Sequence, residues 1–135
     1  MNIDYFQDLE STVARALAED LGSGDITAGL IDATKTVSAT VITREHGILC
    51  GAPWVDEVFC QVNPELELAW QVQDGETVEP DQTLFTVRGQ ARSILSAERP
   101  ALNFLQTLSG TATVTARYSA LIKHTETTLL DTRKT

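Results

Sequence analysis

Leu66-Glu67-Leu68-Ala69-Trp70-Gln71-Val72 sets Leu66, Leu68, Trp70 and Val72 in strict period two, the period of a strand with one buried face. Asp74-Gly75 follows as a turn signal, then Thr77-Val78, a second turn at Pro80-Asp81, and the run Leu84-Phe85-Thr86-Val87. Upstream, the segment from Lys35 to Leu49 is also extended, with Val37, Ala39 and Val41 alternating with Ser38, Thr40 and Ile42. Short strands joined by tight turns pair as antiparallel neighbours, so the centre of the chain is an antiparallel β layer.

Helical periodicity surrounds that layer. From Asp8 to Leu21, Leu9, Val13, Ala16, Leu17 and Leu21 recur at three- and four-residue steps opposite Glu10, Arg15, Glu19 and Asp20. Gly22 and Gly24 stop this helix, and Asp25-Ile26-Thr27 opens a new segment. Gly22-Ser23-Gly24 is not a phosphate loop, because it follows a helix and no Lys-Ser/Thr pair closes it. A short helix is expected from Trp54 to Val62, with Trp54, Val55, Val58 and Phe59 inward. A longer helical region runs from Ser96 to Lys123, with Pro100 placed in its first turn and Ser109-Gly110-Thr111 dividing or kinking it. Leu102, Leu105, Leu108 and Ala112 share one side of it, as do Val114, Tyr118, Leu121 and Ile122 further on. Thr127 to Leu130 reads as a last strand. The fold class is α+β.

The 135 residues carry a net charge of −9 with their cations scattered, which argues against nucleic acid as a partner. No stretch approaches the apolar length that crosses a membrane, and the first residues lack the pattern of a signal peptide. Cys50 and Cys60 have neither metal-ligand nor disulfide-framework spacing, so both are expected as small buried apolar residues in a cytoplasmic protein. His46 and His124 read as surface groups, and Trp54 and Trp70 as core or interface. Glu19, Asp20 and Asp25 read as caps or solvated acids.

Three cations stand apart: Arg99, Arg133 and Lys134. Arg99, at the expected helix start, has an ordinary explanation in a salt bridge to Glu98 or a neighbour. Arg133-Lys134 differs, because adjacent cations after a buried strand repel unless an anion lies between them. A guanidinium grips a carboxylate or phosphate through two bonds, and an ammonium adds a compact charge. The ordinary alternative for that pair is a solvated tail.

The run from Glu98 to Thr113, Glu-Arg-Pro-Ala-Leu-Asn-Phe-Leu-Gln-Thr-Leu-Ser-Gly-Thr-Ala-Thr, together with Leu130-Asp131-Thr132-Arg133-Lys134-Thr135, resembles the quinolinate phosphoribosyltransferase family. Glu19-Asp20-Leu21-Gly22-Ser23-Gly24-Asp25-Ile26-Thr27, Gly47-Ile48-Leu49-Cys50-Gly51 and Asp74-Gly75-Glu76-Thr77-Val78 agree in order and spacing. The resemblance implies an α/β-hammerhead-like open sandwich with an antiparallel sheet over residues 1–109. Residues 110–135 would then be the first helix and strand of a truncated α/β barrel. It implies phosphoribosyl transfer from phosphoribosyl pyrophosphate to quinolinate with decarboxylation, in NAD biosynthesis. It further implies a homodimer, with assembly beyond the dimer left open, and Mg²⁺ bound through the pyrophosphate of the donor.

By the same resemblance the substrate-binding residues are Arg99, Thr132, Arg133 and Lys134, with no acid or base among them. Arg99 would reach a quinolinate carboxylate in the partner's site, Arg133 another carboxylate, and Lys134 the anionic groups of both substrates. Pro100 departs from the pattern expected after the arginine. The family's later barrel strands, His-Arg pair, second lysine and acidic residues have no counterpart in these 135 residues, so the chain alone is expected to make no product. Two other readings compete. One is a related pyridine phosphoribosyltransferase, the other a non-catalytic dimerisation or regulatory piece. The hairpin rhythm from Val72 to Val87 also resembles lipoyl and biotinyl carriers, but Lys35, Lys123 and Lys134 are the only lysines and none lies there.

Overall fold

A computed structural model describes residues 4–131. The order of elements is α1 (Leu9–Leu21), α2 (Ile26–Gly29), β1 (Thr36–Ile42), β2 (Gly47–Ile48), α3 (Ala52–Val62), β3 (Glu67–Trp70), β4 (Thr77–Val78), β5 (Thr83–Gln90) and α4 (Ala91–Ile122). β5 is the middle of a three-stranded antiparallel sheet ordered β1-β5-β3, and β2 pairs with β4 as a separate antiparallel ribbon. The α+β reading holds.

The register explains the core. Val41 and Trp70 flank Phe85, and Ala39 and Leu68 flank Val87, so one face collects the apolar half of three alternating strands. Phe85 is fully buried, 4.5 Å from the Trp70 ring and 6.2 Å edge-on from Phe59 of α3. Val55, Val58 and Phe59 of α3, Val13 and Leu17 of α1, and Ile94, Ala97, Ala101 and Leu105 of α4 complete the same cluster. Gly89 ends this face because a Cβ there would stand 2.5 Å from Leu66 Cδ2, in a backbone at φ +149°. Both expected turns close. Glu76 N–H donates to Gln73 O around Gly75, and Gln82 N–H to Glu79 O around Asp81, whose φ of 67° an aspartate tolerates.

Three expectations are corrected. The last helix begins at Ala91, directly after β5, so Pro100 lies inside α4 rather than in its first turn. Pro100 removes one helical donor and leaves the Ser96 carbonyl without it, a cost the helix bears while the ring is buried along the cleft beside α1. α4 then runs through Ser109-Gly110-Thr111 as one 32-residue helix. Residues 127–130 form no strand, since a strand needs a ladder partner and none reaches them among the described residues. Leu129 and Leu130 are exposed there, as are Val114, Tyr118 and Leu121 on the outer part of α4.

Ser109 and Thr113, one turn apart on α4, hold the β2 segment by its backbone. Ser109 Oγ accepts from Cys50 N–H and donates to Cys50 O, both at 3.0 Å, while Thr113 Oγ1 accepts from Ile48 N–H at 2.9 Å. A Cβ on Gly47 would meet that hydroxyl at 2.8 Å, which is why the strand begins with glycine. Ser109→Ala leaves the Cys50 N–H and carbonyl unpaired, and chemical denaturation is expected to show a loss of about 1–3 kcal/mol.

Asp25 caps α2 by accepting from Ala28 N–H at 3.0 Å and takes a second bond from Ser96 Oγ at 3.0 Å. The Ala28 bond first, then Ser96, lower its pKa below the ordinary 3.8. A lowered folded value means its contribution is complete above that range and is lost as pH falls through the folded pKa. Asp25→Asn should therefore flatten the decline of melting temperature below about pH 4. An unchanged acid limb in the variant would refute it.

Candidate functional site

A cleft of about 690 Å³ is lined by residues of α1, α3 and α4, among them Ala16, Asp20, Trp54, Arg99, Asn103 and Phe104. Amphipathic periodicity sets its two walls: Val13 and Leu17 turn into the core and Ala97, Ala101 and Leu105 do the same, leaving Asp20 and Arg99 at the rim. Trp54 is half-buried at the start of α3, with the Phe6 ring 5.4 Å away and tilted by 42°. The lining is thus part aromatic and aliphatic, through Trp54, Phe104 and Leu108, and part polar, through Glu19, Asp20, Arg99 and Asn103.

Arg99 is 76% exposed, inside α4 rather than at its start, and its Nη1 donates to Asp20 Oδ1 at 3.3 Å. The neighbour it pairs with is thus Asp20 of α1 rather than Glu98. Asp20, expected as a cap or solvated acid, is 23% exposed and held between helices. Thr132, Arg133 and Lys134 lie outside the described residues; Asp131 is the last described position and makes contacts of its own.

The other chemically capable residues are accounted for structurally. Burial, and secondarily the Asp74 carboxylate, push the Cys50 thiol above its ordinary value, which makes it a poor nucleophile. Cys60, expected inside, is exposed on the outer side of α3. Both are free thiols. Asp74 accepts from the N–H groups of Gly51 and Ala52 at 2.9 and 3.0 Å, placing a carboxylate on the first turn of α3 where the helix dipole favours it. His46 faces Glu79 at 3.7 Å with both side chains more than half exposed. Trp70 donates through Nε1 to Asp56 at 2.8 Å. Among the described residues no three His, Cys, Asp or Glu converge to hold a metal ion, and no helix is long and apolar enough to cross a membrane.

Sequence reasoning missed the Ser109–Thr113 clamp, the Asp74 cap and the pairing of Asp20. The first had a signal, two hydroxyl residues at i and i+4 on one helix face, obscured by reading Gly110 as a break. The other two join residues far apart in the chain and had none.

Residues 25–109 match the family described as quinolinate phosphoribosyl transferase, N-terminal domain. Over 130 residues the chain is 38% identical to "Quinolinate phosphoribosyltransferase [decarboxylating] 1" of Nicotiana glauca, covering 95% of this chain and 37% of that one. A probable nicotinate-nucleotide pyrophosphorylase [carboxylating] of Synechocystis is 34% identical over 88% of this chain and 40% of its own length. The solved nicotinate-nucleotide pyrophosphorylase from Francisella tularensis superposes with a TM-score of 0.92 at 43% identity, over 99% of this chain and 48% of that chain. The chain therefore spans well under half the length of these curated relatives and about half of the solved structure.

An exposed ion pair contributes little, so Arg99→Ala should change the unfolding free energy of the protein by no more than about 1 kcal/mol. A larger loss in urea denaturation would mean that Arg99 serves the fold rather than the cleft.

Proposed function

This chain belongs to the quinolinate phosphoribosyl transferase family, and from that premise we propose that it is the N-terminal part of an enzyme of NAD biosynthesis. The enzyme joins quinolinate to the phosphoribosyl group of phosphoribosyl pyrophosphate and releases CO₂, giving nicotinate mononucleotide and pyrophosphate. The observation that carries the reading in this chain is Arg99, a largely exposed guanidinium at the rim of a cleft, held at one nitrogen and able to offer its other donors to a carboxylate.

In this reading Arg99 of one protomer meets a carboxylate of quinolinate bound in the partner's site of a homodimer. Thr132, Arg133 and Lys134 line the pocket, with Arg133 on a carboxylate and Lys134 near the anionic groups of both substrates. The pyridine nitrogen lone pair forms the bond to the anomeric carbon as the bond to pyrophosphate breaks. The ring, now a cationic pyridinium, takes up the electron pair of the C–CO₂⁻ bond as CO₂ departs, and a proton from water fills the vacated carbon. Both arginines orient the diacid and balance its charge, and neither moves a proton. Mg²⁺ held through the pyrophosphate of the donor would supply charge neutralisation there. Free thiols suit a reducing compartment, and we place the enzyme in the cytoplasm.

The test is release of labelled CO₂ from carboxyl-labelled quinolinate by the full-length protein with phosphoribosyl pyrophosphate and Mg²⁺. Product is expected there and not from residues 1–135 alone. Arg99→Ala should raise KM for quinolinate at least about tenfold, the worth of a lost charge-assisted bond. Turnover of nicotinate without CO₂ release would replace the reading by a related pyridine phosphoribosyltransferase. Inactivity of the full-length protein on both substrates would replace it by a dimerisation piece.

A further inference from the structure

We propose that Asp20 is a positioning residue for Arg99: it tethers the guanidinium at the cleft rim in the orientation from which it meets the substrate carboxylate, an inference that rests on the quinolinate reading above. The first observation is that α1 itself has no use for this acid. Asp20 lies in the last turn of α1, where the helix dipole disfavours a carboxylate, and that turn contains no base to offset it. Its partner lies on another helix, 79 residues away in sequence.

The second observation is the asymmetry of the pair. Asp20 is 23% exposed and Arg99 76%, so the acid is the anchored end and the cation the free end. Asp20 sits beside Leu21 and close to the buried Leu17, whose packing fixes the end of α1. An arginine otherwise samples many rotamers, and each one excluded beforehand is entropy that binding no longer has to remove. The bond at 3.3 Å engages Nη1, and a guanidinium carries five N–H donors, so the fork keeps a pair for an incoming carboxylate. Two further acids belong to this surround. Glu19 lines the cleft, and Asp25 feels the Arg99 charge while remaining committed to Ala28 and Ser96. Of the three, Asp20 is the one bonded to the guanidinium.

The experiment is a double-mutant cycle in the full-length protein, reading KM separately for quinolinate and for phosphoribosyl pyrophosphate, with melting temperature alongside. Asp20→Ala is expected to raise KM for quinolinate about two- to fivefold, the worth of an exposed ion pair, and to leave KM for the donor unchanged. Asp20→Glu should recover most of the loss. In an Arg99→Ala background, Asp20→Ala should add nothing. An equal rise in both KM values, or the same rise with Arg99 already removed, overturns the tether while leaving the function intact. If Arg99→Ala itself leaves KM for quinolinate unchanged, the substrate reading falls with it. Should Asp20→Ala unfold the protein, Asp20→Asn keeps the side-chain shape and carries the same cycle.

Discussion

Burial of one sheet face against α3 and α4, with Phe85 at its middle, is the contact from which the remaining geometry follows. Phe85 has Val41 on one side and Trp70 on the other, and meets Phe59 edge-on from above. A fully buried aromatic of this kind contributes about 1.5–3 kcal/mol by removal from water alone. It also fixes direction: β5 passes into α4 without an intervening residue, so the orientation of the sheet sets the line of the long helix. Ala91 N–H bonds to Lys35 O at 2.8 Å and locks that junction against the start of β1.

Once α4 is fixed, two features follow from its periodicity. Ser109 and Thr113 present hydroxyls to the backbone of the β2 segment, which supplies polar partners to a strand too short to satisfy its own groups. Earlier on the same helix, Arg99 is carried to the end of α1 and meets Asp20. Pro100 between them is tolerated because tertiary packing outweighs one missing helical bond; its ring is buried beside Ala97 and Ala101 in sequence. The clamp and the ion pair differ in kind. The former satisfies partly buried backbone, where loss is expensive, and the latter sits at a wet rim, where loss is cheap and side-chain direction is what it provides.

Beyond Thr113 the character of α4 changes. Val114, Tyr118 and Leu121 keep the apolar spacing of the inner half yet are exposed, and Leu130 is as well. Periodicity identifies which residues share a face of a helix. It says nothing about what lies against that face, because covering it depends on atoms distant in the chain or outside it.

Strand alternation in β1 and β3, the turns at Asp74-Gly75 and Pro80-Asp81, the stop of α1 at Gly22 and the cap at Asp25 were all determined by the sequence alone. Each rests on backbone sterics or on a bond between residues a few positions apart, so the local chain contains the whole cause. The tertiary structure decided the rest. It joined the expected helix to β5 and moved its start to Ala91, left 127–130 without a strand, put Cys60 outside, and paired Arg99 with Asp20 instead of Glu98. Those outcomes depend on which distant elements come into contact, and a propensity of tenths of a kcal/mol per residue yields to the several kcal/mol of a packed core.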